Sequence, residues 1–203
     1  MSKDPTGKHD FVKQSIGSFL RELGSDSASP GGGAAAALSG ALGVSLIEMV
    51  SRINVKRAPS AHFRKNISRL EKNRTRFGEL MRLDAEAFLK LCKFSKEERR
   101  GSRYQSVLRR AAGVPMEICE LAVESLAIGQ FEINRTSRWL ASDLAEAGIL
   151  LRASFNSGRL NVEINLRSIQ DKIFLRKTNS RLDRLEKEAD ILNRKIKKVL
   201  THE

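Results

Sequence analysis

Cysteine, histidine, proline and aromatic residues are all scarce in this 203-residue chain, and each scarcity removes a class of protein. Two cysteines, Cys92 and Cys119, cannot make a disulfide framework, and their separation fits no metal-ligand spacing, so a reduced, cytoplasmic setting is expected. The three histidines, His9, His62 and His202, are scattered with no carboxylate or cysteine at ligand spacing, which predicts no metal site. One Tyr, one Trp and nine Phe, mostly at inward-predicted positions, leave few rings for stacking on bases, which counts against single-stranded RNA. The N-terminus lacks an apolar core with a cleavage site, so no secretory signal is expected. The most apolar stretch, Ala34 to Val50, is interrupted by Ser39, Ser45 and Glu48 and falls short of the ~20 residues a spanning helix requires. It reads as a buried helix, and no membrane association is expected.

What is present is helical. Only four prolines and almost no alternation of apolar and polar residues accompany long stretches of 3.6-residue period, so the fold class is all-α. Hydrophobic residues make up 40% of the chain, enough for one core and one domain over residues 1–203. A first amphipathic helix is expected from about His9 to Leu23, with Val12, Ile16, Phe19, Leu20 and Leu23 on its inner face. A small-residue helix follows the glycines and runs to about Asn54, and a long one starts near Ser60. Another covers Tyr104 to Gln130, where Pro115 predicts a kink or break. The next spans Thr136 to Asn156, and a further one begins near Leu160 with Val162, Leu166, Ile169 and Ile173 inward. In the tail, Leu182, Leu185, Ala189, Leu192, Ile196 and Val199 alternate spacings of three and four and predict packing along a partner helix.

The net charge of +13 is concentrated: residues 52–110 hold 18 Lys and Arg against 6 Asp and Glu, a local balance of +12. This suggests a polyanionic partner, whether nucleic acid, an anionic membrane surface or a small molecule bearing several carboxylates; a solvated basic helix surface reads equally well.

Along the long helix, Leu70, Phe77 and Leu91 are separated by multiples of seven, and the missing member of that series is Asp84. Its helical neighbours are Leu80, Met81, Ala87 and Phe88, so the carboxylate points into an apolar seam. Burial there must be met by a cation or donors, or must raise the pKa towards neutrality, as a general acid needs. A structural aspartate satisfied by an arginine is the other reading. Asp143 sits in a similar setting of Trp139, Leu140, Ala147 and Leu150, and Asn161 and Asn165 stand one turn apart beside Val162 and Leu166. Such amides read a heterocycle's edge or bond a neighbouring backbone. Gly31, Gly32 and Gly33 precede the small-residue helix, and they either leave N–H groups bare for a ligand or let two helices approach closely.

The blocks "FLRELGSDSASPGGGAAAALSGALGVSLIEMV", "DAEAF", "AAGVPM", "SDLAEAG" and "NVEINLRSIQD", in this order between Phe11 and Asp171, resemble the formimidoyltetrahydrofolate cyclodeaminase and methenyltetrahydrofolate cyclohydrolase family. The resemblance implies a bundle of long antiparallel helices, a homodimer, and a tetrahydrofolate derivative as substrate with no metal or redox cofactor. It implies cyclisation of 5-formimidoyltetrahydrofolate to 5,10-methenyltetrahydrofolate with loss of ammonia, or interconversion of methenyl- and formyl-tetrahydrofolate. The family's catalytic aspartate falls on Asp84, and Gly31, Gly32, Gly33, Ser142, Asp143, Asn161 and Asn165 are implied to line or shape the folate pocket. A polyglutamylated folate would give the basic segment a purpose. The alternative is a folate-binding or nucleic-acid-binding module without turnover on the same scaffold. Two departures fall where the family's pattern approaches its site. The segment after the aspartate is shortened to "KFSKEERRGS", with Lys96 an approximate substitute for a Leu-Pro-Lys lysine, and Thr136-Ser137 replaces Gly-Asn.

Overall fold

The structure is a computed structural model describing residues 10–201, with the side chains of Arg100 and Thr201 outside the description. Six α-helices occur among the described residues: α1 (Ile16–Leu23), α2 (Gly32–Arg57), α3 (Ala61–Cys92), α4 (Ser102–Gln130), α5 (Arg138–Leu166) and α6 (Lys172–Lys197). Short connections force antiparallel neighbours. Helices α2 and α4 each pack between α3 and α5, which closes a four-helix ring, and α6 lies along the outside of α4 and α5. The core is a single cluster drawn from all four ring helices and from Leu182, Leu185, Ala189, Leu192 and Ile196 of α6. The tail thus finds its partner helices within its own chain.

Small residues let α2 sit close to both neighbours. A Cβ at Gly40 would lie 2.4 Å from the Phe77 ring of α3, and one at Gly43 would lie 2.8 Å from Leu151 of α5. Across the α2–α5 contact, Ser39 Oγ donates to the Leu150 carbonyl at 2.9 Å and Ser154 Oγ to the Ala36 carbonyl at 2.8 Å. The composition of α2 would suit a membrane span, but α3 and α5 cover it.

Two expectations need correction and a third is narrowed. The N-terminal helix begins only at Ile16, and of the residues expected on its inner face Phe19 is buried and Leu23 packs on the core while Val12, Ile16 and Leu20 are exposed. The ladder interruption expected at Pro115 is present but local, since α4 continues from Ser102 to Gln130 and the carbonyl without a main-chain donor is met from α5. No break separates Asn156 from Leu160, since α5 runs unbroken through Gly158. That glycine serves packing: a Cβ there would meet Cys119 Sγ at 2.9 Å and the Pro115 carbonyl at 3.2 Å. Beyond α5, Ile169 is buried in the connection and Ile173 is exposed on α6.

Candidate functional site

The buried seam of α3 opens as it approaches Asp84. Leu70, Phe77 and Leu80 are fully buried, Asp84 is half-buried, and Phe88 is exposed. A cavity of about 430 Å³ begins at this carboxylate, between the start of α2, the C-terminal half of α3, the start of α4 and the end of α5. Its wall includes Gly31, Gly32, Gly33, Asp84, Asn161 and Asn165, so six of the eight anticipated site residues converge from three helices.

The glycines divide by role. Helix α2 has Gly31 at its N-cap, with no side chain there to cap it. The Asp84 carboxylate instead accepts the backbone N–H of Ala34, so a side chain from α3 supplies the missing cap. Gly33 must stay bare for this to happen: a Cβ would lie 2.1 Å from Asp84 Oδ1. Nothing lies within 4 Å of a Cβ placed on Gly31, and one on Gly32 would only reach Asn161 at 3.8 Å. Both expose backbone to the cavity.

No cation meets Asp84 among the described residues. Burial pushes its pKa up to about 6, against a smaller lowering by the Ala34 N–H. Near neutrality this group exchanges protons readily in either direction, which suits general acid–base work. Asp84 is therefore not the arginine-satisfied structural aspartate.

Both asparagine amides use their NH₂ groups on backbone. Asn161 Nδ2 donates to the Ser157 carbonyl at 2.8 Å, and Asn165 Nδ2 to the Ala111 carbonyl at 3.5 Å. The second bond answers the proline. Pro115 has no N–H for the carbonyl four residues earlier, and Asn165 reaches across from α5 to occupy it. The backbone-bonding role and the lining role thus coincide, leaving the amide oxygens as acceptors in the wall.

Ser142 and Asp143 do not join this cavity. They lie 18 or more residues before Asn161 on the same straight-running α5, which at 1.5 Å per residue is about 27 Å away. The Thr136-Ser137 departure is more distant still, at the start of α5, where Thr136 Oγ1 donates to the Glu132 carbonyl. The shortened segment after α3 does reach the cavity, but through Arg99 and not Lys96. Tyr104 also enters the wall, held edge-on by Phe94 with ring centroids 5.3 Å apart. Neither Arg99 nor Tyr104 stood out in the sequence. Only the fold shows that the start of α4 faces Asp84.

A second cavity, about 580 Å³, lies between α1, α2 and α3. Each charged side chain in its wall is ion-paired: Asp10 with Lys13, Arg74 with Glu48, Glu79 with Arg76, and Arg82 with Glu86. It offers no free titrating group.

The pattern that defines the formiminotransferase-cyclodeaminase family matches residues 15–184. A methenyltetrahydrofolate cyclohydrolase from Methylorubrum extorquens is 29% identical over 195 residues, covering 90% of this chain and 94% of that protein. A formimidoyltransferase-cyclodeaminase from Mus musculus is 31% identical over 198 residues, covering 92% of this chain but only 37% of the longer mouse protein. The crystal structure of formiminotetrahydrofolate cyclodeaminase from Thermotoga maritima superposes with a TM-score of 0.86 at 27% identity, over 94% of this chain and 98% of the other. An all-helical ring and a family pattern that spans most of the sequence lead to one assignment: this chain belongs to the formiminotransferase-cyclodeaminase family.

Proposed function

We propose that this protein is a folate one-carbon enzyme. It cyclises 5-formimidoyltetrahydrofolate to 5,10-methenyltetrahydrofolate with release of ammonia, or interconverts methenyl- and formyl-tetrahydrofolate, in the cavity beside Asp84. The observation that carries this reading is a carboxyl without a cation partner, titrating near 6, beside bare helix-start backbone in a cavity of ligand size.

In the cyclodeaminase reaction the substrate enters as the formimidinium cation, and N10 attacks its carbon, which leaves N10 positively charged and the former imine as a neutral amine. Asp84 as carboxylate takes that proton and passes it to the amine, the carbon–nitrogen bond to the amine breaks, and ammonia leaves with the methenyl cation behind. One proton moves from N10 to the leaving group, and none is gained or lost overall. In the cyclohydrolase reaction Asp84 takes a proton from the water that attacks the methenyl carbon and returns it to N5 as the carbon–N5 bond breaks, while the hydroxyl proton of the intermediate leaves to solvent as the formyl C=O forms. The Asn161 and Asn165 oxygens accept from N–H groups on the heterocycle's edge.

Mixing the protein with 5-formimidoyltetrahydrofolate should develop methenyltetrahydrofolate absorbance, and Asp84→Asn should abolish it while retaining helical content. Full activity in that variant would remove Asp84 from the mechanism. The module without turnover is not favoured, because the relatives over most of this chain carry enzyme names.

A homodimer extends the reading. Leu42 and Met49 on α2, and Trp139 and Ile149 on α5, leave an exposed apolar face on two helices packed against each other, with exposed Ser142 on the same stripe of α5. A second copy on this face would cover Trp139, which is 90% exposed in the single chain. Polyglutamylated folate is the second extension. A groove next to the end of α3 is lined by Lys90, Lys93 and Arg103, suited to a tail of carboxylates.

A further inference from the structure

We propose that Arg99 holds the α-carboxylate of the folate's glutamate at the far end of the Asp84 cavity, a role that rests on the folate reading above. The cavity wall follows α3 from Asp84 through Phe88 and Leu91 to Cys92. These eight residues of helix amount to roughly 12 Å. At their end the chain turns into a short 3₁₀ segment, Glu98–Arg100, that carries Arg99 into the wall. The rigid aminobenzoyl spacer is about 6 Å long and the amide and Cα carry the glutamate's first carboxylate about 3–4 Å further, so the long arginine side chain closes the remaining gap. A ligand with its reacting nitrogen at Asp84 therefore brings its first carboxylate to Arg99.

The turn is built to hold that position. Ser95 Oγ accepts from the Glu98 N–H at 3.3 Å, Glu98 Oε2 accepts from the Ser95 N–H at 2.8 Å, and the Arg99 N–H donates to the Ser95 carbonyl at 3.2 Å. This reciprocal cap fixes the backbone of Arg99 and occupies the adjacent carboxylate, which is then less available to neutralise the guanidinium. Elsewhere on α3 and α4 the arginines beside carboxylates are taken: Arg76 bonds Glu117 and Glu79, Arg82 bonds Glu86, and Arg109 bonds Asp171. Arg99 has no ion pair among the described residues, and it is the cation of the wall. Its planar fork matches a carboxylate with two parallel N–H donors. A guanidinium keeps its protons, so Arg99 positions the substrate and the proton transfer stays with Asp84.

The test compares two stable ligands by calorimetry: 5-formyltetrahydrofolate and a counterpart without the glutamate, the carboxamide of 5-formyltetrahydropteroate, which carries no carboxylate. Arg99→Gln should weaken the first about 10-fold, as for a partly exposed charge-assisted pair, and leave the second unchanged. In turnover its KM should rise with kcat kept, and Arg99→Lys should recover part of the affinity. Circular dichroism checks that each variant is folded. Equal losses for both ligands would place Arg99 at the heterocycle and overturn the proposal, as would no loss for either. A wild-type protein that binds neither ligand would instead defeat the folate reading itself.

Discussion

At the scale of the residue, Asp84 is kept at a cost. Its carboxyl titrates near 3.8 in an unfolded chain and near 6 in the folded one. Below the lower value both states are protonated and folding is unaffected. Between the two values the unfolded chain gives up its proton first. Stability therefore falls as pH rises from about 4 to 6, by up to about 3 kcal/mol, and stays lost above that window. Asp84→Asn should raise the melting temperature at pH 7 and flatten the pH dependence of stability across this window, in melts followed by circular dichroism. The gain should be about 1–2 kcal/mol, since an amide oxygen accepts the Ala34 N–H less strongly than a carboxylate.

The same titration should set a limb near pH 6 in kcat/KM. A rise through that pH marks Asp84 acting as a base from its carboxylate form, and a fall marks it acting as an acid. Beside it, Gly33→Ala forces a methyl into the carboxylate and should cost about 1–3 kcal/mol together with activity. Gly32→Val meets no such obstacle and should keep helical content while weakening folate binding. Loss of folding in that variant would make Gly32 a packing residue.

At the scale of the element, the proline in α4 and the asparagine in α5 form one unit. Asn165→Ala should destabilise the wild-type background by about 1 kcal/mol, because the Ala111 carbonyl loses its donor. In a Pro115→Ala background the main chain supplies an N–H to that carbonyl, and the same substitution should cost less. A double-mutant cycle on denaturant midpoints reads the difference.

This pair also shows where sequence reasoning succeeds and fails. Long helices with a period of 3.6, the tail stripe from Leu182 to Val199, and the odd carboxylate in the Leu70–Phe77–Leu91 series are all legible, because each depends on spacing within one helix. The compensation for Pro115, the packing role of Gly158 and the approach of Arg99 to the cavity depend on contacts between helices. No local pattern encodes those. The inward face of α1 was misjudged for a related reason: a helix of eight residues offers too few turns for its stripe to define one side. Ser142 and Asp143 lie apart from this cavity, since an unbroken α5 carries them away from Asn161.

At the scale of the whole molecule, charge and assembly make separate predictions. Of the cations in residues 52–110, Arg52, Arg69, Arg74, Arg76, Arg82 and Arg109 are engaged with carboxylates, so part of the basic excess serves the fold. The remainder includes Lys90, Lys93 and Arg103 near the end of α3. A polyglutamylated folate should therefore bind more tightly than the monoglutamate at low salt, with the advantage shrinking as salt is added. Equal affinities at low salt would remove that role. Trp139→Asp should convert the protein to a monomer in sedimentation velocity without lowering helical content, whereas an unchanged sedimentation coefficient would exclude this face as the dimer contact.

Helix α2 carries a further consequence for the life of the protein in a cell. It is 26 residues long, with a mean hydropathy of 1.6 over its most apolar window, and packing within the ring buries 56% of that window. Newly made or heat-damaged chains in which that cover is missing would display a sequence that lipid bilayers and chaperones accept as their own substrate. Whatever loosens the ring threatens solubility before it threatens catalysis.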